Sequence, residues 1–159
     1  MKNTTIFIHG QESSSQGTKG IFFRNLFSEM IIPDFSGDVS ERMVKLEELL
    51  RDKDEITMIG SSLGGLMAAL YSFENEERIK KLILLAPAIN LSEFNPYLSK
   101  TISMPVYVFH GREDELIPIK DIQDISKKVF TNLSFTVLDD DHRLSAKFTS
   151  IDWPDLLEI

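Results

Sequence analysis

Cysteine is absent from this 159-residue chain. That removes disulfides, thiolate zinc sites and a cysteine nucleophile together, and it leaves the redox compartment open. Histidine is scarce: His9, His110 and His142 are the only three, and no compact ligand spacing joins them, so no metal is expected. Basic residues are outnumbered, 17 against 25 acidic, for a net charge of −8. An acidic chain argues against a nucleic-acid partner, which needs a basic patch, but a local site can still accept an anionic small molecule. No apolar run approaches the ~20 residues that span a bilayer. The opening segment, Met1-Lys2-Asn3-Thr4-Thr5-Ile6-Phe7-Ile8, has too short an apolar stretch for a signal sequence and no small-residue cleavage site. No membrane association and a cytoplasmic location are the resulting expectations. Repeats, low-complexity tracts and long linkers are lacking as well.

What is present is enough for one domain over residues 1–159 with a real hydrophobic core. Hydrophobic residues make up 42% and charged residues 26%, as in ordinary globular proteins. Short apolar runs alternate with amphipathic stretches. Strands are expected at Thr5–Ile8, Met30–Ile32 (stopped by Pro33), Glu55–Gly60, Lys81–Ala86, Pro105–His110 and Ser134–Leu138. Helices are expected at Gly20–Met30, Ser40–Arg51, Leu63–Phe73 and Ile119–Phe130. A short closing helix, Trp153–Ile159, has Asp152 as N-cap and Pro154 in its first turn. The run Lys81–Ala86 is apolar almost throughout, which suits a parallel strand covered on both faces. The pattern predicts an α/β fold: a mainly parallel sheet of about six strands flanked by helices on both faces. In such sheets functional groups gather at the carboxyl ends of strands.

Four segments sit just after predicted strands. Gly60-Ser61-Ser62-Leu63-Gly64 fits G-x-S-x-G between a strand and a helix, a nucleophile elbow. The turn lifts the Ser62 hydroxyl clear of the sheet, and side chains two residues to either side would collide with it. The Leu63 peptide N–H then faces a developing oxyanion. Ser61 lacks the two-residue glycine spacing on its C-terminal side. His110-Gly111-Arg112-Glu113-Asp114-Glu115 supplies a carboxylate able to fix an imidazole tautomer. Asp114 is the candidate, with Glu113 and Glu115 its competitors on composition. The apolar Leu116-Ile117-Pro118 that follows suggests a chain turning inward directly after Asp114. Asp139-Asp140-Asp141-His142 closes the last strand. His142 is free there to reach across as a base, whereas His9 and His110, each before glycine, more often hold loop backbone together. Asp141 competes with Asp114 for the imidazole. The loop from His9-Gly10 into Gln11 and the serines beyond offers the Gln11 N–H as a second oxyanion donor.

Taken together the chain resembles the α/β-hydrolase superfamily and, more narrowly, the small cap-less bacterial esterases of the YqiA type. The carriers are Ile8-His9-Gly10 with its serine-rich loop, Ile59-Gly60-Ser61-Ser62-Leu63-Gly64-Gly65, Ala86-Pro87-Ala88, His110-Gly111-x-x-Asp114 and Asp141-His142. In the resembled pattern the acid stands three residues after the glycine of His-Gly, which is Asp114, and the order Ser62, Asp114, His142 is the one expected. The resemblance implies a minimal fold without a lid. It also implies hydrolysis of small-molecule acyl esters or thioesters by an acyl-enzyme route, with no cofactor. The rivals are a peptidase or amidase with the same triad and a non-catalytic binding protein on this scaffold. Two departures stand out: the usual early antiparallel strands are missing, and Arg143-Leu144 follows the histidine where Ala, Phe or Gly is frequent. The segment 89–101 is the only connection long enough to border an acyl pocket, with Phe94, Pro96 and Tyr97 either as its apolar wall or as packing residues.

Overall fold

The computed structural model describes residues 3–159; Met1 and Lys2 of the opening segment lie outside them. Five parallel strands form one sheet: β1 (Thr4–Ile8), β2 (Ile56–Ser61), β3 (Ile79–Leu85), β4 (Val106–Gly111) and β5 (Leu133–Leu138). They lie side by side in chain order. The intervening helices are α1 (Thr18–Leu26), α2 (Val39–Leu49), α3 (Leu63–Glu74) and α4 (Ile119–Val129), followed by α5 (Trp153–Leu157). Short 3-10 turns cover Glu76–Arg78, Ser92–Tyr97 and Phe148–Ser150. Asp152 caps α5 by accepting the Asp155 N–H at 3.2 Å, and Pro154 stands in its first turn.

The strand expected at Met30–Ile32 is reduced to a single bridge, Ile6 with Ile31. The Phe7 N–H donates to the Ile31 carbonyl (3.0 Å) and the Ile31 N–H to the Thr5 carbonyl (2.9 Å). Pro33, with no N–H to offer, ends the pairing. The bridge still decides the topology. From β1 the chain runs through α1 to Ile31 on one flank of β1, then through α2 to β2 on the other. The connections therefore diverge above β1 and β2, and a crevice opens at the carboxyl ends of those two strands.

Period-two alternation explains why the strands read as continuous apolar runs. Ile6, Ile8, Met58, Leu82, Leu84, Val106 and Val108 face α2, α3 and α4. Phe7, Ile59, Ile83, Leu85 and Phe109 face α1 and α5. Helix α3 is buried along nearly its whole length, as its apolar composition predicts. On the other face Phe23 packs edge-on against Phe148 and Trp153, with ring centroids 5.4 and 4.8 Å away, and at a tilt against Phe7. Leu144 is buried in the same cluster. Among the described residues no helix is long and apolar enough to cross a membrane.

Candidate active site

Ser62 joins β2 to α3 with φ 56° and ψ −115°, a backbone region that costs a non-glycine residue about 1–3 kcal/mol. The surroundings hold it there. Its N–H donates to the Leu85 carbonyl (2.9 Å), and its carbonyl accepts from Gly65 (2.9 Å) and Ala88 (3.0 Å). The glycine spacing is a packing requirement. A Cβ on Gly64 would lie 2.1 Å from the Ile8 carbonyl oxygen, and one on Gly60 2.3 Å from that of Gly64. The first turn of α3 thus rests directly on the end of β1.

Above this turn the structure brings three predicted side chains together. His142 Nε2 lies 3.0 Å from Ser62 Oγ, and His142 Nδ1 lies 2.7 Å from Asp114 Oδ2. The Asp114 side chain is fully buried, and that of His142 is 17% exposed. An ionised carboxylate only accepts, so Nδ1 carries the proton and Nε2 offers its lone pair to the serine hydroxyl. The other carboxylate oxygen, Oδ1, accepts the N–H groups of Leu116 (2.9 Å) and Ile117 (2.8 Å). These two bonds, together with His142, select Asp114 over its neighbours. Glu113 and Glu115 point to solvent.

The inward turn expected after Asp114 is only partly present. Ile117 is buried, but Leu116 is 74% exposed. The loop is held by the carboxylate bonds and not by an apolar anchor at Leu116.

The acidic run before His142 builds its loop. Asp139 pairs with Arg112. Asp140 Oδ2 accepts the N–H groups of Ala146 (3.0 Å) and Lys147 (2.8 Å). Asp141 Oδ1 accepts that of Arg143 (3.0 Å), so its carboxylate is engaged away from the ring. Lys19 of α1 donates to the Arg143 carbonyl at 2.6 Å, and burial holds its ammonium below the ordinary lysine value. Lys19 did not stand out in the sequence, and Gly111 did so only as the glycine of the His110-Gly111-x-x-Asp114 pattern. A Cβ on Gly111 would sit 2.4 Å from the Asp140 carbonyl oxygen, so this glycine admits the His142 loop to β4. The glycine directly after a strand histidine was the available signal.

The other two histidines bind backbone. His9 Nε2 accepts the Phe35 N–H (2.9 Å), and Nδ1 donates to the Gly10 carbonyl (2.6 Å). His110 Nε2 donates to the Ile117 carbonyl (2.8 Å). Gly10 packs on Ser62: a Cβ there would be 3.4 Å from that of the serine. Gln11 is thereby placed in the exposed turn just beyond Gly10, and Leu63 is the first residue of α3. First-turn N–H groups have no intrahelical partner. Among the described residues the Gln11 N–H donates to no protein acceptor.

Of the two roles open to the aromatic residues of the 89–101 connection, a wall at the site or packing, the structure does not show the wall. Phe94 is fully buried and packs edge-on against Phe73 of α3. Pro96 and Tyr97 line a groove of about 430 Å³ with Met43, Val44 and Leu70, and none of Ser62, Asp114 or His142 borders it. The Tyr97 hydroxyl donates to Glu74, and burial with that carboxylate raises its pKa to about 12. Aromatic content alone could not tell a core turn from a site wall. Among the described residues no group of three metal-ligating side chains converges.

Comparison with known proteins bears on the fold. Residues 32–101 match the family described as serine aminopeptidase, S33; that span contains Ser62 but neither Asp114 nor His142. No curated protein sequence matches. Mouse α/β-hydrolase domain-containing protein 10 superposes with a TM-score of 0.78 at 20% identity, over 98% of this chain and 89% of the other. A protein assigned to the α/β-hydrolase superfamily from Xanthomonas campestris pv. campestris gives 0.76 at 26% identity, over 92% and 91%. Est1E from Butyrivibrio proteoclasticus gives 0.77 at 18%, over 94% and 83%. With strands in this order and a serine elbow at the crevice above β1 and β2, the chain has the fold of the α/β hydrolases.

Proposed function

We propose that the protein is a serine hydrolase that cleaves acyl esters or thioesters through an acyl-enzyme intermediate. The observation that carries the proposal is the unbroken relay from Ser62 Oγ through the His142 ring to the Asp114 carboxylate, at 3.0 and 2.7 Å. In this reaction His142 Nε2 takes the Ser62 proton as Oγ attacks the substrate carbonyl. Asp114 keeps the other ring proton on Nδ1 and stabilises the imidazolium as it forms. The N–H groups of Leu63 and Gln11 receive the oxyanion; one such donor is worth about 10²–10³ in kcat. Collapse of the adduct expels the alcohol or thiol, which takes the proton from His142. Water then attacks the acyl group on Ser62 and gives its proton to His142; collapse returns that proton to Ser62 Oγ and frees the acid. No cofactor or metal enters the scheme.

The long 89–101 connection is tied to α3 through Phe94, so it does not serve as a lid. An open site favours small or slender acyl groups on soluble substrates over emulsified long-chain lipid. Amide or peptide hydrolysis by the same relay is the second reading, favoured by the serine aminopeptidase match over residues 32–101. A binding-only scaffold would have no use for a strained serine aligned with a base.

A fluorophosphonate probe should label the protein and fail to label Ser62→Ala. Short esters, thioesters and aminoacyl amides then rank the substrate classes. Amide turnover above both others would move the assignment to the second reading. Labelling that survives Ser62→Ala but vanishes in Ser61→Ala would refute the nucleophile.

A further inference from the structure

We propose that His110 is a positioning residue for Asp114: its Nε2–H ties down the turn that carries the acid and faces the carboxylate itself. The inference rests on the triad reading above and adds a second histidine to it.

His110 is the penultimate residue of β4, with its side chain fully buried. Nε2 is 2.8 Å from the Ile117 carbonyl oxygen and 3.2 Å from Asp114 Oδ2. Both oxygens only accept, so Nε2 must carry the proton. The N–H is directed at the carbonyl, and the carboxylate oxygen lies beside that axis. Nδ1, on the far side of the ring, is buried without a partner. A proton on Nδ1 would make a buried cation with an unpaired donor, which is strongly disfavoured. Burial lowers the proton affinity of His110, against the opposing pull of the Ile117 carbonyl and Asp114; the His142 ring, which also faces it, pushes the same way as burial. The ring is therefore neutral and held in one tautomer.

The unpaired nitrogen is what makes a histidine informative here. A phenylalanine would occupy a similar shape without burying a polar atom that has no partner. What Nε2 does must offset that penalty, and it does two things. The Ile117 backbone is held at both of its polar groups, its carbonyl by His110 and its N–H by Asp114 Oδ1 at 2.8 Å. This keeps the carboxylate from rotating away from His142. The positive edge of the ring also lies against Oδ2, the oxygen that accepts from His142 at 2.7 Å. That contact steadies the negative charge on Oδ2 and keeps the shared proton on Nδ1 of His142. Removing it makes Asp114 a stronger partner for the imidazolium.

The experiment is the pH profile of kcat/KM on a short ester for the wild type, His110→Phe and His110→Gln; glutamine returns an N–H near the position of Nε2. The bond to the Ile117 carbonyl and the ring's contact with the Asp114 carboxylate are both lost in His110→Phe, so kcat should fall about tenfold with KM little changed. The acid limb should move to higher pH by about half a unit, as one donor beside a carboxylate warrants. His110→Gln should restore both. A lower kcat with an unmoved acid limb, or wild-type kinetics in His110→Phe, would overturn the proposal. If His110→Phe does not fold, ring-nitrogen NMR of the wild type decides. A neutral Nε2–H ring that does not titrate across neutral pH is expected; titration there, or a proton on Nδ1, would overturn the proposal. Because the tautomer is read in the resting protein, failure of Ser62 to take a fluorophosphonate would refute the triad reading separately.

Discussion

Replacing Gly111 by alanine should disable the site without touching any group of the relay. The added methyl would lie 2.4 Å from the Asp140 carbonyl oxygen and 2.5 Å from that of Asp141. Carbon and carbonyl oxygen settle no closer than about 3.3 Å, so the loop must withdraw by about 1 Å. It has little freedom to bend around the intrusion. The Arg112 N–H donates to the Leu138 carbonyl (2.8 Å) and the Glu113 N–H to the Asp140 carbonyl (3.1 Å), and both bonds bind the loop to the end of β4. His142 follows Asp141 directly, so its contacts of 2.7 Å to Asp114 and 3.0 Å to Ser62 cannot both survive. A misplacement of about 1 Å lowers turnover roughly 10²-fold. Overpacking should also destabilise the fold by about 1–3 kcal/mol, and each kcal/mol lowers Tm by about 2–4 °C in a chain of this size. Ester turnover and fluorophosphonate labelling should be measured well below both melting temperatures, with circular dichroism to check the fold. Wild-type turnover at a wild-type Tm in Gly111→Ala would refute the close approach and the loop placement drawn from it.

Two further outcomes are expected. Asp114→Asn should lower turnover by about 10⁴-fold, as the loss of a triad acid does elsewhere, while Asp141→Asn should retain most activity because Asp141 serves the Arg143 N–H; the two variants are compared in one ester assay, and the reverse ranking would sink the assignment of the acid. Hydrolysis should be unchanged after treatment with a chelator, since His9 and His110 each engage backbone and His142 engages Ser62 and Asp114; activity lost to the chelator and restored by zinc would contradict this.

Much of the site was legible because its chemistry has local packing requirements. Gly60 and Gly64 flank Ser62 at the spacing that a backbone-on-backbone contact demands, and such spacing survives in one dimension. Period-two burial on both faces made β3 and β4 continuous apolar runs. Met30–Ile32 had the same appearance, yet only Ile31 pairs, and the chain beyond Pro33 serves loops instead. Asp34 accepts the Ser15 N–H (2.7 Å) and hydroxyl (3.0 Å), and Phe35 donates to His9. Those partners lie far away in sequence, so no local pattern records them. The choice among Glu113, Asp114 and Glu115 was likewise not decidable from composition. It depends on the peptides of Leu116 and Ile117, and the exposure of Leu116 runs against its apolar character. Phe94 shows the same limit from the other side: its edge-on packing against Phe73 is a tertiary fact.

The division of the core into two faces has a consequence for how activity is lost. The serine elbow is carried by α3, in the cluster on one side of the sheet, whereas the loop bearing His142 is moored through Leu144 and Phe148 to the aromatic cluster on the other. Nucleophile and base are thus anchored in packing on opposite faces of the sheet. Local opening needs less free energy than global unfolding, so loosening of the Phe23–Phe148–Trp153 cluster alone would carry the base away from an intact elbow. Heat inactivation should then precede loss of the sheet, and it should reverse on cooling as the aromatic rings dock again.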